Sequence, residues 1–250
     1  MAVWITETEA LCEPCRREAL VCVLCGRALE RAFVRLDGAL MLSHPQCAES
    51  CDRCDVCGRT WPPAHSAQLP DGRSQCTYCR QTAIVTDEQV LRLVPAARRF
   101  VERSTGIRLR SSARTRVASP AEIERMLAGA RKRPEHDSSG RFVGAFMRED
   151  DGTIVVESGW PEDEAVGILV HEFGHALVAQ QGWTLDLVAE EGYCAWLEHE
   201  YWGTRGRPAR QSALLQRSGP YGTGLRSALV AYTERRLSHQ IQMKSDSRRA

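Results

Sequence analysis

Ala165-Val166-Gly167-Ile168-Leu169-Val170-His171-Glu172-Phe173-Gly174-His175-Ala176-Leu177-Val178 is the stretch around which the rest of the chain must be arranged. Two histidines stand four residues apart in an otherwise apolar run. On a helix that spacing puts both imidazoles on one face, where they can share a metal ion. Glu172, beside the first histidine, is placed to act as general base on a metal-activated water. The apolar residues on either side predict a buried helix over about Glu162–Gln181.

A catalytic zinc needs a third protein ligand and one open position. The metzincin continuation would require Gly and His where Val178 and Gln181 stand, which excludes that class. A helical hairpin is the alternative. The first helix runs on roughly 9 Å past His175, and Gly182-Trp183-Thr184 can reverse the chain. A second helix, Asp186–Tyr201, covers roughly 7.5 Å in its first five residues on the way back, which brings Glu190 or Glu191 level with His175. Glu198 follows two turns later on the same face, where it can orient a histidine ligand or face solvent. The oxyanion formed in peptide hydrolysis would also need a donor, for which Tyr221, His199 and His239 are candidates.

Outside this hairpin the pattern predicts a mixed α+β domain from residue 83 to 250. Asp87–Arg103 has helical spacing, with Pro95 as a kink point. Ile107–Val117 alternates like a strand, and Ser119-Pro120-Ala121-Glu122 reads as a helix start. Arg131–Gly140 reads as a charged loop. Phe142–Arg148 and Thr153–Glu157 read as strands joined at Asp151-Gly152. Gly203–Gly222 is expected to be a surface loop, Thr223–Gln242 a last helix, and the chain from Lys244 a frayed tail.

Residues 1–82 are of another kind. Ten of the eleven cysteines lie between Cys12 and Cys79, among few aromatic residues. The knuckle Cys-x-x-Cys-Gly-Arg occurs at Cys22–Arg27 and again at Cys54–Arg59. Eighteen residues separate the first knuckle's second cysteine from His44-Pro-Gln-Cys47, and the same number separates Cys57 from Cys76-Thr-Tyr-Cys79. The repeat predicts two closed tetrahedral zinc sites, Cys22/Cys25/His44/Cys47 and Cys54/Cys57/Cys76/Cys79, which would hold together a module too thin to fold on its core alone. Cys51 competes with Cys57 as the partner of Cys54. Cys12, Cys15 and Cys51 are enough for a third structural zinc, which the spacing leaves open. Cys194 reads as a packing residue on the second hairpin helix.

The net charge of +1 gives little support to nucleic-acid binding. It averages a basic stretch, Arg98–Arg133, with an acidic one, Trp160–Tyr201, that has nine carboxylates and no Lys or Arg. No segment reaches the roughly 20 apolar residues of a membrane span. The N-terminus has neither the basic start nor the apolar run of a secretory signal, so the expected location is cytoplasmic, where paired cysteines point to metal and not to disulfides.

Two resemblances extend this reading. His44-x-x-Cys47 followed by two further Cys-x-x-Cys pairs resembles a LIM domain, although six residues separate Cys47 from Cys54 where two are usual. LIM domains mostly bind proteins, so this module would serve substrate or partner recognition. Glu191-Gly192-Tyr193 resembles the glutamate-ligand segment of gluzincin peptidases, which favours Glu191 over Glu190 as third ligand. Taken with the segments Asp71–Ile84, Glu190–Cys194 and Tyr221–Arg226, the order of motifs resembles the LIM-domain metallopeptidases of the plant ubiquitin-activated organ-size regulators, over roughly residues 20–242. The resemblance implies a zincin-like peptidase domain behind a LIM-like module, with His171, His175 and Glu191 on a catalytic zinc and Glu172 as base. Ubiquitin control is not carried over, because the ubiquitin-interacting motifs of the plant proteins have no counterpart in this sequence. The expected activity is hydrolysis of peptide bonds in protein substrates. A DNA-associated protease like the SprT group, and a zinc-stabilised interaction scaffold without activity, are the competing expectations.

Overall fold

The computed structural model describes residues 3–4, 10–11, 21–29, 34–36, 41–58, 60–61, 66–110, 113–129, 143–147 and 152–231. The chain is mixed α+β and divides into two compact units, Met1–Thr82 and Ala83–Ala250. Cys12, Cys15, Arg131–Gly140, Asp151, His239 and the tail from Lys244 lie outside the described residues, as does the expected last helix beyond residue 231.

The first unit is built from one plan used twice. Val21 bridges to Ala28 across the first knuckle, strand Val34–Leu36 pairs with Met41–Ser43, and helix Pro45–Ala48 follows. In the second copy Asp52–Arg53 pairs with Thr60–Trp61 across the second knuckle, Ser66–Gln68 pairs with Ser74–Cys76, and helix Thr77–Gln81 closes it. Each knuckle turns on a glycine in the left-handed region, Gly26 at φ 69° and Gly58 at φ 72°. Their N–H groups donate to Cys22 O and Cys54 O, both at 2.8 Å. Only glycine adopts this conformation without strain, which explains the Gly that follows each Cys-x-x-Cys. The apolar cluster of the first copy comprises Cys22, Leu29 and Leu42.

The second unit opens with α1, Asp87–Thr105. Thr86 and Gln89 form a reciprocal capping box at its start, and Gly106 ends it in the left-handed region at φ 71°. Pro95 lies within α1, which continues past it and buries Val90, Ala97, Phe100 and Val101. Three strands form one sheet: β1, Thr115–Ala118; β2, Gly144–Met147; and β3, Thr153–Glu157. β3 is central, antiparallel to β2 and parallel to β1, and all five of its residues are buried. β1 is shorter than the alternation of Ile107–Val117 suggested, because residues 107–110 take no strand pairing. Between β1 and β2 lies α2, Pro120–Gly129, whose start is fixed by Ser119 N and Oγ donating to Glu122 Oε2 at 2.8 Å. The outer side of β1 is engaged by Asp87, whose Oδ1 accepts from Val117 N at 2.7 Å. Among the described residues no strand pairs with the outer side of β2.

The centre of this unit is α3, Glu162–Gln181. From Glu164 to Gly174 every residue is buried. Such a helix is apolar on all sides because it has packing partners on all sides: α1, β2, β3 and α4, Leu187–Thr204. Burying Phe173 alone is worth roughly 1.5–3 kcal/mol. Asp186 caps α4 by accepting from Ala189 N at 2.8 Å. The segment expected to be a loop carries a further helix, α5, Pro208–Leu215, started by Pro208 and held by Leu214 in the core. A last helix, α6, already begins at residue 219 and is described to 231, so Tyr221 lies in its first turn and not in a loop.

Candidate metal centres and active site

In the first unit the structure brings together the two predicted ligand sets. Cys22, Cys25, His44 and Cys47 place one donor atom each within 4.8 Å of the others, and so do Cys54, Cys57, Cys76 and Cys79. The sulfurs of Cys54 and Cys79 are 3.9 Å apart and those of Cys57 and Cys76 are 3.8 Å apart. These separations exclude disulfides, and they match the edge of a tetrahedron with arms of about 2.3 Å, the Zn–S length. Backbone N–H groups of Cys76 and Cys79 donate to Cys54 Sγ and Cys76 Sγ, as thiolates require. His44 turns Nδ1 toward Cys25 and Cys47, at 3.5 and 3.8 Å, while Nε2 donates to Ala28 O at 3.1 Å. That second bond fixes the tautomer with Nδ1 free to ligate. Burial would raise the Cys22 thiol, but N–H donors from His44, Cys25 and Leu24 prevail and lower it to about 6. Cys51 stands apart from the four-sulfur group, with its Sγ 3.9 Å from Cys47 O.

In the second unit the α3–α4 hairpin assembles the other site. His171 and His175 stand one turn apart, their rings edge to face with centres 5.2 Å from each other. Glu191 comes back along α4 to place Oε2 at 3.2 Å from His171 Nε2 and 3.7 Å from His175 Nε2. The opposite ring nitrogens meet two other carboxylates. His175 Nδ1 is 2.9 Å from Glu190 Oε1, and His171 Nδ1 is 3.4 Å from Glu198 Oε2, at ion-pair distance without hydrogen-bond alignment. Glu198, 8% exposed, also accepts from Trp202 Nε1 at 3.4 Å and lies 3.8 Å from Arg217 Nη1. Glu190 and Glu191 thus divide the two roles between which the hairpin estimate could not choose. Glu191 lies between the two Nε2 atoms, and Glu190 holds one ring from behind.

The charges show what this pocket accommodates. Burial works against the charged form of His171, but Glu191 and Glu198 override it and raise His171 to about 10. His175 is likewise raised well above its ordinary value against burial, by the Cys194 sulfur, Glu190 and Glu191. Burial would raise Glu191, yet the two imidazoles hold it below the usual carboxylate range. Imidazoles and carboxylates thus favour each other's charged forms against burial. With both imidazoles neutral, the same donors form a buried, negatively charged set of two nitrogens and an oxygen, which suits a divalent cation.

Glu172 is buried, and burial pushes its carboxyl upward, against the pull of His171 and His175. It abuts β2: a Cβ built on Gly144 would lie 2.9 Å from Glu172 Oε1 and 2.6 Å from Ile168 Cγ2. Tyr221 faces the site from α6, its ring centre 6.1 Å from that of His171. Burial, then the carboxylates of Glu191 and Glu172, raise its hydroxyl above the ordinary tyrosine value, so it stays protonated and able to donate. Its position depends on Gly192 and Gly224, where α4 and α6 touch backbone to backbone. A Cβ on Gly192 would meet Gly224 C at 2.4 Å.

Other expected residues are elsewhere. His199 lies beside Glu200, with Nδ1 at 3.5 Å, and Gln211 Nε2 donates to its carbonyl. Cys194, expected to be packing, is wholly buried and belongs with His171 and His175 to a third group of donor atoms within 4.8 Å of one another. Sequence reading did not find Gly144, Cys194 or Arg217 at the site. Gly144 carries no local signal, and the other two come into place only when the helices pack. Comparisons of the chain with known protein families, curated proteins and solved structures give no match. Among the described residues no helix is long and apolar enough to cross a membrane.

Proposed function

We propose that this chain is a zinc-dependent peptidase of the zincin type, with an N-terminal LIM-like zinc module that recognises a protein substrate or partner. The observation that carries the reading is Glu191 Oε2 set between the Nε2 atoms of His171 and His175, with Glu172 buried next to them. His171, His175 and Glu191, whose Oε2 lies 3.2 and 3.7 Å from the two Nε2 atoms, would hold the catalytic zinc, and the two cysteine groups would each hold a structural zinc. When bound at the first of these, zinc supplies a Lewis acid that polarises a peptide carbonyl and acidifies a water.

The protein groups do the rest. Glu172 takes a proton from the attacking water and passes it to the leaving amine. A buried carboxyl raised toward neutrality is suited to both transfers. The Tyr221 hydroxyl donates to the oxygen on which charge develops. Glu190 and Glu198 keep the imidazoles oriented through their far nitrogens. The side of β2 that has no strand beside it among the described residues would offer backbone donors and acceptors to an extended substrate beside Glu172, the arrangement of strand addition.

The test pairs metal counting with proteome-wide cleavage profiling of wild type and Glu172→Gln. About three zinc ions per chain and loss of cleavage in the variant are expected. Cleavage that survives replacement of Glu172 would overturn the mechanism.

A further inference from the structure

Cys194 lies on α4 three residues after Glu191 and so on the same face. It is fully buried. Its sulfur occupies the notch left by Gly174 on α3, 2.8 Å from where a Cβ of that residue would stand. Any side chain at residue 174 would push the sulfur aside. Seated there, Sγ and one nitrogen from each of His171 and His175 lie mutually within 4.8 Å. For packing alone, an apolar side chain would fill the notch without bringing a soft donor to two imidazoles. Sulfur in that place is the donor chemistry of thiophilic cations.

We infer that Cys194 is a ligand of a metal held with His171 and His175, so that this centre carries sulfur beside nitrogen. The inference rests on the metal site proposed above and deepens it. As the metal–sulfur bond forms, the Cys194 S–H bond breaks and its proton goes to solvent. A sulfur donor is compatible with hydrolysis, because zinc centres of this kind accept a fifth donor. It also makes the centre selective for Zn2+, Cd2+ and Co2+ over Mg2+ and Mn2+, which prefer oxygen.

The test is 113Cd NMR on the full chain loaded with 113Cd2+. Three cadmium resonances are expected, two from the cysteine groups of the first unit. The third should couple to ring protons of His171 and His175 and also to the β-protons of Cys194. This measurement needs no variant. In Cys194→Ser the third resonance should move upfield, away from thiolate ligation, while the other two stay in place. His171→Ala should remove the third resonance alone. A third cadmium coupled to both histidines, with no coupling to Cys194 and no movement in Cys194→Ser, overturns the sulfur ligand and leaves the metal site standing. If no cadmium couples to His171 or His175, the metal site fails and this inference fails with it.

Discussion

Gly144→Ala tests the most demanding contact in the site. The added methyl would stand 2.6 Å from Ile168 Cγ2, 2.9 Å from Glu172 Oε1 and 3.3 Å from Glu172 Cγ. An unstrained contact needs about 3.5–4 Å, so the strand and α3 must separate by roughly 1 Å or Glu172 must swing away. Ile168 belongs to the buried core, and α3 has neighbours on all sides, so the helix cannot yield without disturbing other contacts. Overpacking of this kind costs about 1–3 kcal/mol, which for a unit of this size lowers Tm by roughly 2–4 °C per kcal/mol. Displacing the base by about 1 Å costs on the order of 100-fold in kcat. The assay is a double-mutant cycle by thermal unfolding with Glu172→Ala, which removes one of the two collision partners. The two substitutions should couple by at least about 0.5 kcal/mol, with the double variant less destabilised than the sum. Additive effects, or a Gly144→Ala protein with wild-type Tm and cleavage rate, would refute the claim that β2 rests against Glu172.

Four further outcomes are expected. Tyr221→Phe should lower kcat by about 100- to 1,000-fold with little change in metal content, and an unchanged kcat would exclude the hydroxyl as oxyanion donor. Glu198→Ala should weaken zinc binding at the histidine centre by about 10- to 100-fold in chelator competition, since His171 loses the carboxylate behind it. His171 is raised to about 10 and His175 well above its ordinary value, so loading the centre should release about three protons, one from each imidazole and one from the Cys194 thiol, measured with an indicator dye in weak buffer against a protein already loaded at its cysteine sites; Cys194→Ser should lower the count by one. The same raised His171 contributes stability to the metal-free fold that is complete below pH 6.5 and lost as pH rises through about 10, so Tm of the metal-free protein should fall over that window and His171→Gln should flatten the fall.

What could be read in advance follows from how local the information is. The bounds of α3 were readable because a largely apolar run ends at Gln181-Gly182, and the two cysteine sites because their spacing repeats. Both patterns are complete within a few tens of residues. α5 was missed because Arg207, Pro208, Arg210 and Gln211 resemble a loop and only Leu214 is buried, so its reason to be helical comes from what it packs on. β1 was overestimated for the opposite reason. Residues 107–110 alternate like a strand but have no strand beside them, and Leu109 instead sends its N–H to Glu102. Choosing between Glu190 and Glu191 depends on helix rotation, which a length estimate along the axis does not provide. Gly144, Gly174, Gly192 and Gly224 are legible only in three dimensions, because each matters for what the neighbouring chain places where a side chain would be.

Asp87 on the outer side of β1 has a consequence for the whole sheet. With Val117 N on that border taken by a side chain, β2 is the border that has no strand beside it among the described residues. A strand that joined β2 would lie next to Glu172. A strand border left unpaired is ordinarily an invitation to aggregate; the one that has no partner among the described residues lies against Glu172.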